Sequence, residues 1–216
     1  MNLIFQSCEK VDSKIDYVLT TADAKDIITK WIYNDYNPDM NPSFTFSVIE
    51  YTTEEIYEKL KGQVFGVISD VPGLNNRWFF IKNKKVYDLF YGGQYATESD
   101  FDNLLVTDLN NDSKYELSYT AHAGSGVLIQ IINCFYFMND NLSQLSSNVI
   151  CRFPLDYQIH LQKDGFKKLM IKYADDKYDL IIGEVKLSKQ DDKMELIVEL
   201  KEEVPQEIID KLNGNN

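Results

Sequence analysis

Oxygen-bearing side chains recur at alternate positions in the stretch DLNNDSKYEL, at Asp108, Asn110, Asp112 and Glu116. Counting Asp108 as position one, they fall at one, three, five and nine, and the carbonyl of Lys114 falls at seven. A curling loop turns alternate side chains inward, so this spacing can gather oxygens round a hard cation. Calcium takes about six to eight oxygens at ~2.3–2.6 Å. The carboxylates of Asp108, Asp112 and Glu116 repel one another in an empty loop, and a divalent ion relieves that repulsion. Asp108, Asn110, Asp112, Lys114 and Glu116 are therefore the candidate metal ligands, and calcium is the expected ion. The competing reading is a turn rich in Asp and Asn whose side chains satisfy its own backbone.

Two other stretches invite a chemical reading. HAGSG, His122 to Gly126, offers Ser125 as a nucleophile and His122 as a base. A nucleophile elbow is spaced GxSxG, whereas here the glycines flank the serine directly. The only other histidine, His160, lies in an alternating strand pattern, so no triad can be assembled. Gly124 and Gly126 read as a tight turn, and no catalytic residue is assigned. YDLFYGGQYATESDF places Tyr87, Phe90, Tyr91, Tyr95 and Phe101 around a Gly92-Gly93 turn. Displayed aromatics form platforms for sugars or peptides. The alternative is core, with Phe90 and Phe101 buried.

The acidic loop resembles that of FG-GAP repeats, the calcium-binding hairpins of integrin α-chain propellers and of many secreted bacterial proteins. The family pattern, roughly D-x-[DN]-x-D-G-x-x-[DE]-L, is met at Asp108, Asn110, Asp112, Glu116 and Leu117. The resemblance implies a calcium loop joining two β-strands, and the flanks LLVT and YELSYTA agree. They disagree with an EF-hand, which also needs a glutamate at position twelve and a glycine at six. The departure is Ser113, where the family has glycine. The turn asks for a positive φ, which serine adopts at a cost of about 1 kcal/mol. The loop occurs once, so a propeller of repeated blades is not expected.

Composition limits the partners. With 34 acidic and 22 basic residues the net charge is −12. Phosphate backbones are bound by clustered Lys and Arg, and KNKK (Lys82, Lys84, Lys85) reads as a charged hairpin turn. No nucleic-acid partner is expected. Cys8, Cys134 and Cys151 make no disulfide framework and no CxxC metal spacing. Cys134 and Cys151 lie in apolar runs and read as buried free thiols, a Cys134–Cys151 bridge being the alternative. No run reaches the ~18 apolar residues of a membrane span. MNLIFQSCEK resembles the end of a bacterial lipoprotein signal, with Ser7 before Cys8 as a candidate lipid anchor. It lacks the basic start and most of the apolar core. A tag scar is the other reading, since NLIFQS differs by one residue from a common protease-site remnant.

The elements that must position these residues follow from periodicity. TADAKDIITKWIYND puts Ala24, Ile27, Ile28, Trp31 and Ile32 on one helical face, with Thr21 as the cap. TTEEIYEKLKG has Thr52 and Glu55 at capping-box spacing and stops at Gly62. SFTFSVIEY, QVFGVIS and RWFFIKNKKVYDL read as strands, the last a hairpin turning at Asn83-Lys84. VLIQIINCFYF, 127–137, is the most apolar strand. The polar stretch 138–148 reads as a loop between halves. DYQIHLQ, FKKLMIKY, YDLIIGEVKL and MELIVEL read as an antiparallel meander, followed by a helix, PQEIIDKL, with Pro205 in its first turn. The expected fold class is α+β, predominantly antiparallel β-sheet with two N-terminal helices and a short C-terminal helix. Its expected parts are an N-terminal segment, 1–20, an α+β subdomain, 21–137, carrying the loop, and a meander subdomain, 149–216. The function expected from this is a non-enzymatic, exported bacterial binding or accessory module of the cell envelope, with a protein or glycan ligand. The alternatives are a cytosolic acidic protein that neutralises a basic partner, as a toxin-immunity protein does, and a hydrolase with an unrecognised site.

Overall fold

The computed structural model describes residues 18–41, 43–71, 73–89, 104–124, 128–138, 141–147, 150–152, 156–165, 167–190 and 193–214. Cys8, Phe90, Tyr91, Tyr95, Phe101, the Gly92-Gly93 turn, Ser125 and Gly126 lie outside them.

Helix α1 (Thr21–Trp31) starts one residue earlier than the sequence suggests, because Thr20 and not Thr21 is its cap. Thr20 Oγ1 accepts from the Asp23 amide at 3.2 Å, and Asp23 Oδ2 accepts from the Thr20 amide at 3.0 Å, closing a capping box. The expected apolar face is real: Ala24, Ile28 and Ile32 are fully buried, with Ile27 and Trp31 packed beside them. A π-helical turn, Ile32–Tyr36, extends the helix. Strand β1 (Phe46–Glu50) leads to α2 (Glu54–Leu60). The second helix is capped by the later of two adjacent threonines, where the first uses the earlier. Thr53 Oγ1 accepts from Ile56, while Thr52 Oγ1 is taken by the Val64 amide at 3.0 Å. Its left-handed C-terminal residue is Lys61 (φ 53°) rather than the expected Gly62. Gly62 serves instead as a close approach, where a Cβ would lie 2.3 Å from the Phe80 ring.

Strands β2 (Gln63–Ser69), β3 (Arg77–Lys82) and β4 (Lys85–Asp88) complete a first antiparallel sheet in the order β1-β2-β3-β4. The β3–β4 turn falls at Asn83-Lys84, as expected, with φ of 51° and 62°. The second sheet holds β5 (Leu105–Thr107), β6 (Glu116–Ala123), β7 (Ile129–Met138) and β8 (Asn141–Ser146), with β9 (Cys151–Arg152) also pairing with β7. Here the expectation of a loop over 138–148 is corrected. Residues 141–146 form a strand in register with β7 from Asn133↔Ser146 to Met138↔Asn141. The third sheet is the expected meander of β10 (Gln158–Asp164), β11 (Lys168–Ala174), β12 (Asp179–Gln190) and β13 (Lys193–Leu200). Helix α3 (Gln206–Asn213) follows Pro205, which stands just before the first turn.

The sheets stack as layers. One face of the first sheet packs on α1 through Phe46, Phe65, Val67, Phe79 and Ile81. Its other face, with α2, meets the second sheet through Val64, Trp78, Phe80, Leu117, Tyr119 and Phe135. The opposite face of the second sheet contributes Ile132, Cys134 and Cys151 to a core shared with the meander and α3. The chain is thus α+β and mostly antiparallel sheet. Cys134 and Cys151 are free and fully buried, and burial pushes the Cys134 thiol up to about 12, so it stays a thiol. Among the described residues no helix is long and apolar enough to cross a membrane.

Candidate metal centre

The acidic loop joins two antiparallel strands, β5 and β6, and the pair Thr107↔Glu116 closes its base. Side chains alternate along a strand, so the register fixes where each group goes. Leu117, Tyr119 and Ala121 of β6 face the first sheet. Glu116, Ser118, Thr120 and His122 therefore point the other way, toward the meander, yet all four are buried. Glu116 is only 1% exposed.

Within the loop the candidate side chains turn inward and hold the backbone. Asp108, 7% exposed, accepts from the Asp112 amide at 3.0 Å and the Ser113 amide at 3.3 Å. Asn110 Oδ1 accepts from the Asp112 amide at 3.1 Å, and its Nδ2 donates to Asp112 Oδ2 at 3.2 Å. The other Asp112 oxygen accepts from the Lys114 amide at 2.8 Å. Glu116 Oε2 accepts from the Leu109 amide at 2.8 Å, tying the end of the loop to its beginning. Lys114 itself is exposed, and what it would offer a cation is its carbonyl. Ser113 adopts φ 66°, the left-handed conformation expected of a residue standing where glycine is preferred. Asn111 is left-handed too, at 57°.

Burial is the main force on Glu116 and pushes its carboxyl up to about 8. The Leu109 amide pulls it back down, while the charges of Asp112 and then Asp108 raise it further. The three carboxylates thus sense one another across the loop. Two buried hydroxyls that the sequence did not single out share their surroundings. Thr107 is the cross-strand partner of Glu116, and Ser118 lies two residues along on the same face. Both are fully buried; the Thr107 hydroxyl has no hydrogen-bond partner among the described residues, and the Ser118 hydroxyl lies beside the Cys134 thiol. Strand alternation is the signal that could have found them, since Thr107 and Ser118 flank Glu116 by simple counting.

The donor chemistry suits a hard divalent cation: carboxylates, an amide oxygen, hydroxyls and a carbonyl, with no soft ligand. Asp108, Asn110, Asp112, Lys114 and Glu116 are the residues that would hold it. As the loop stands, its oxygens accept backbone amides. No group of three or more His, Cys, Asp or Glu is set at ligating geometry among the described residues. Because Ser113 is left-handed, Ser113→Gly should stabilise the protein by about 0.5–1 kcal/mol in urea unfolding in calcium-free buffer. A loss of stability would show that the serine hydroxyl, not its backbone, matters there.

His122 is buried on β6, and His160 Nε2 lies 2.9 Å from Gln158 Oε1 on β10, in another sheet. Of the aromatic cluster, Tyr87 is half-buried, with the Lys85 ammonium 4.9 Å from its ring centre. Comparison of the chain with protein-family models, with curated proteins and with solved structures finds no match.

Proposed function

We propose that this chain is a non-enzymatic calcium-binding module of an exported bacterial protein, in which the FG-GAP-like loop between β5 and β6 takes one calcium ion. The ion's role in this reading is structural: it fixes the β5–β6 hairpin in the middle sheet, against which the other two sheets pack. One observation carries the reading. Glu116 is a carboxyl group with 1% exposure, placed at the foot of a loop that already holds Asp108 and Asp112. A buried carboxylate beside like charges is costly. A divalent cation at the loop turns that arrangement from a liability into a binding site. Export rests on the sequence from Leu3 to Cys8, and the ligand of the module is a protein or glycan in this proposal.

Calorimetric titration of the folded protein tests the calcium reading. One saturable calcium site is expected. Magnesium should bind more weakly, because it demands a tight octahedral shell and surrenders water reluctantly. Asp112→Ala removes an exposed carboxylate from the middle of the loop and should abolish the calcium heat while leaving the circular dichroism unchanged. Equal heats for wild type and variant would remove these residues from the site.

A further inference from the structure

The KNKK turn, read in the sequence as a charged hairpin, gains a neighbour in the fold. A cleft of about 480 Å3 lies between the β3–β4 turn and the C-terminal end of α2. That volume lies within the range of small-molecule sites. Leu19, Tyr57 and Ile81 contribute to its lining, and Lys61, Lys82 and Lys84 bring three cations to it. Below them Gln63 is 3% exposed and locked in place. Its Oε1 accepts from the Leu19 amide at 2.7 Å, and its Nε2 donates to Leu19 O at 3.1 Å and to Glu50 Oε1 at 2.8 Å. The lining is therefore preorganised, and the Glu50 carboxylate is held by an amide.

Two of these lysines occupy positions that backbone energetics would assign to glycine. Lys61 is the left-handed residue that ends α2, at φ 53°. Lys84 is the second residue of a two-residue hairpin turn, at φ 62°. Glycine is favoured at both kinds of position. Local structure therefore does not account for lysine at either one. What lysine adds is an exposed positive charge at the mouth of one cleft, in a chain whose net charge is −12.

We propose that this cleft binds a small organic anion of the phosphate-ester class, with the phosphate at Lys61, Lys82 and Lys84 and the apolar body against Leu19 and Ile81. Lysine ammoniums act as compact point charges that suit a phosphate, and no arginine fork lines the cleft to select a planar carboxylate. The site is independent of the calcium loop, and either can fail without the other.

Calorimetric titration of the full chain in calcium-free buffer at low ionic strength tests the assignment, with phenyl phosphate as the probe. Saturable binding at millimolar concentration is expected, weakening as salt is added. Phenyl phosphate should bind more tightly than inorganic phosphate, because only the ester can use the apolar wall. The double variant Lys61→Gly/Lys84→Gly should bind the probe roughly tenfold more weakly. Its melting temperature should be no lower than that of wild type, since glycine suits both backbone conformations. Absence of saturable binding, equal affinity for phenyl phosphate and inorganic phosphate, or unchanged affinity in the double variant would each overturn the proposal.

Discussion

In calcium-free buffer near pH 8, Glu116→Gln should be more stable than wild type by about 2–4 kcal/mol, and the difference should nearly vanish below about pH 5. The sign follows from protons bound. Burial, with Asp112 and Asp108 adding to it, pushes the folded-state carboxyl up to about 8, whereas its ordinary value is 4.5. Between those values the folded chain keeps a proton that the unfolded chain releases. Stability therefore falls as pH rises through that window and levels off above it. Glutamine carries no charge to desolvate, and its Oε1 can still accept the Leu109 amide. Its amide lies on the strand face that also carries the buried hydroxyls of Thr107 and Ser118, which are able to accept from it. Urea unfolding of both proteins at the two pH values checks this. A variant less stable than wild type at both would show that the carboxyl is better accommodated than its burial implies.

Trp78→Ala should cost about 3–5 kcal/mol, the range for removing a fully buried large aromatic. Trp78 is 0% exposed on β3, at the contact between the first and second sheets. Tyr51 packs 5.5 Å from it on one side, and Tyr119 of β6 lies 6.4 Å away across the layer boundary. Truncation leaves a void bordered by both sheets, which neither can close alone. Ile68→Ala, at a side chain 50% exposed on the neighbouring strand, is the control and should stay within about 0.5 kcal/mol. Thermal unfolding followed by circular dichroism reads both. A small effect at Trp78 would mean that the two sheets do not share a core.

Local pattern carried much of the fold. Period-two alternation placed the four strands of the meander, and Asn83-Lys84 announced the hairpin turn. Cap positions slipped by one in the first two helices because each begins at a pair of adjacent threonines with equivalent hydroxyls. The choice between them is made by where the chain enters the helix, and in the second case by the Val64 amide claiming Thr52. Strand β8 was hidden for a different reason. NLSQLS has no strong strand preference of its own, and pairing with β7 makes it a strand. The loop's residues, its two flanking strands and the left-handed Ser113 were legible, because they depend on short spacing alone. The burial of Glu116 was not. ELSYTAHA alternates as a half-exposed strand would, and its polar face is covered only because a third sheet, formed some forty residues later, packs in front of it.

Thermal melting of wild type and Asp112→Ala, each with excess calcium and with chelator, tests the calcium loop most directly. A ligand that prefers the native state stabilises it by mass action, by about 2.7 kcal/mol at a hundred times its dissociation constant. Calcium should therefore raise the melting temperature of wild type by several degrees and leave that of Asp112→Ala unmoved. If millimolar calcium leaves both melting curves where chelator puts them, the loop from Asp108 to Glu116 is a side-chain-stabilised turn, and the calcium reading falls with it.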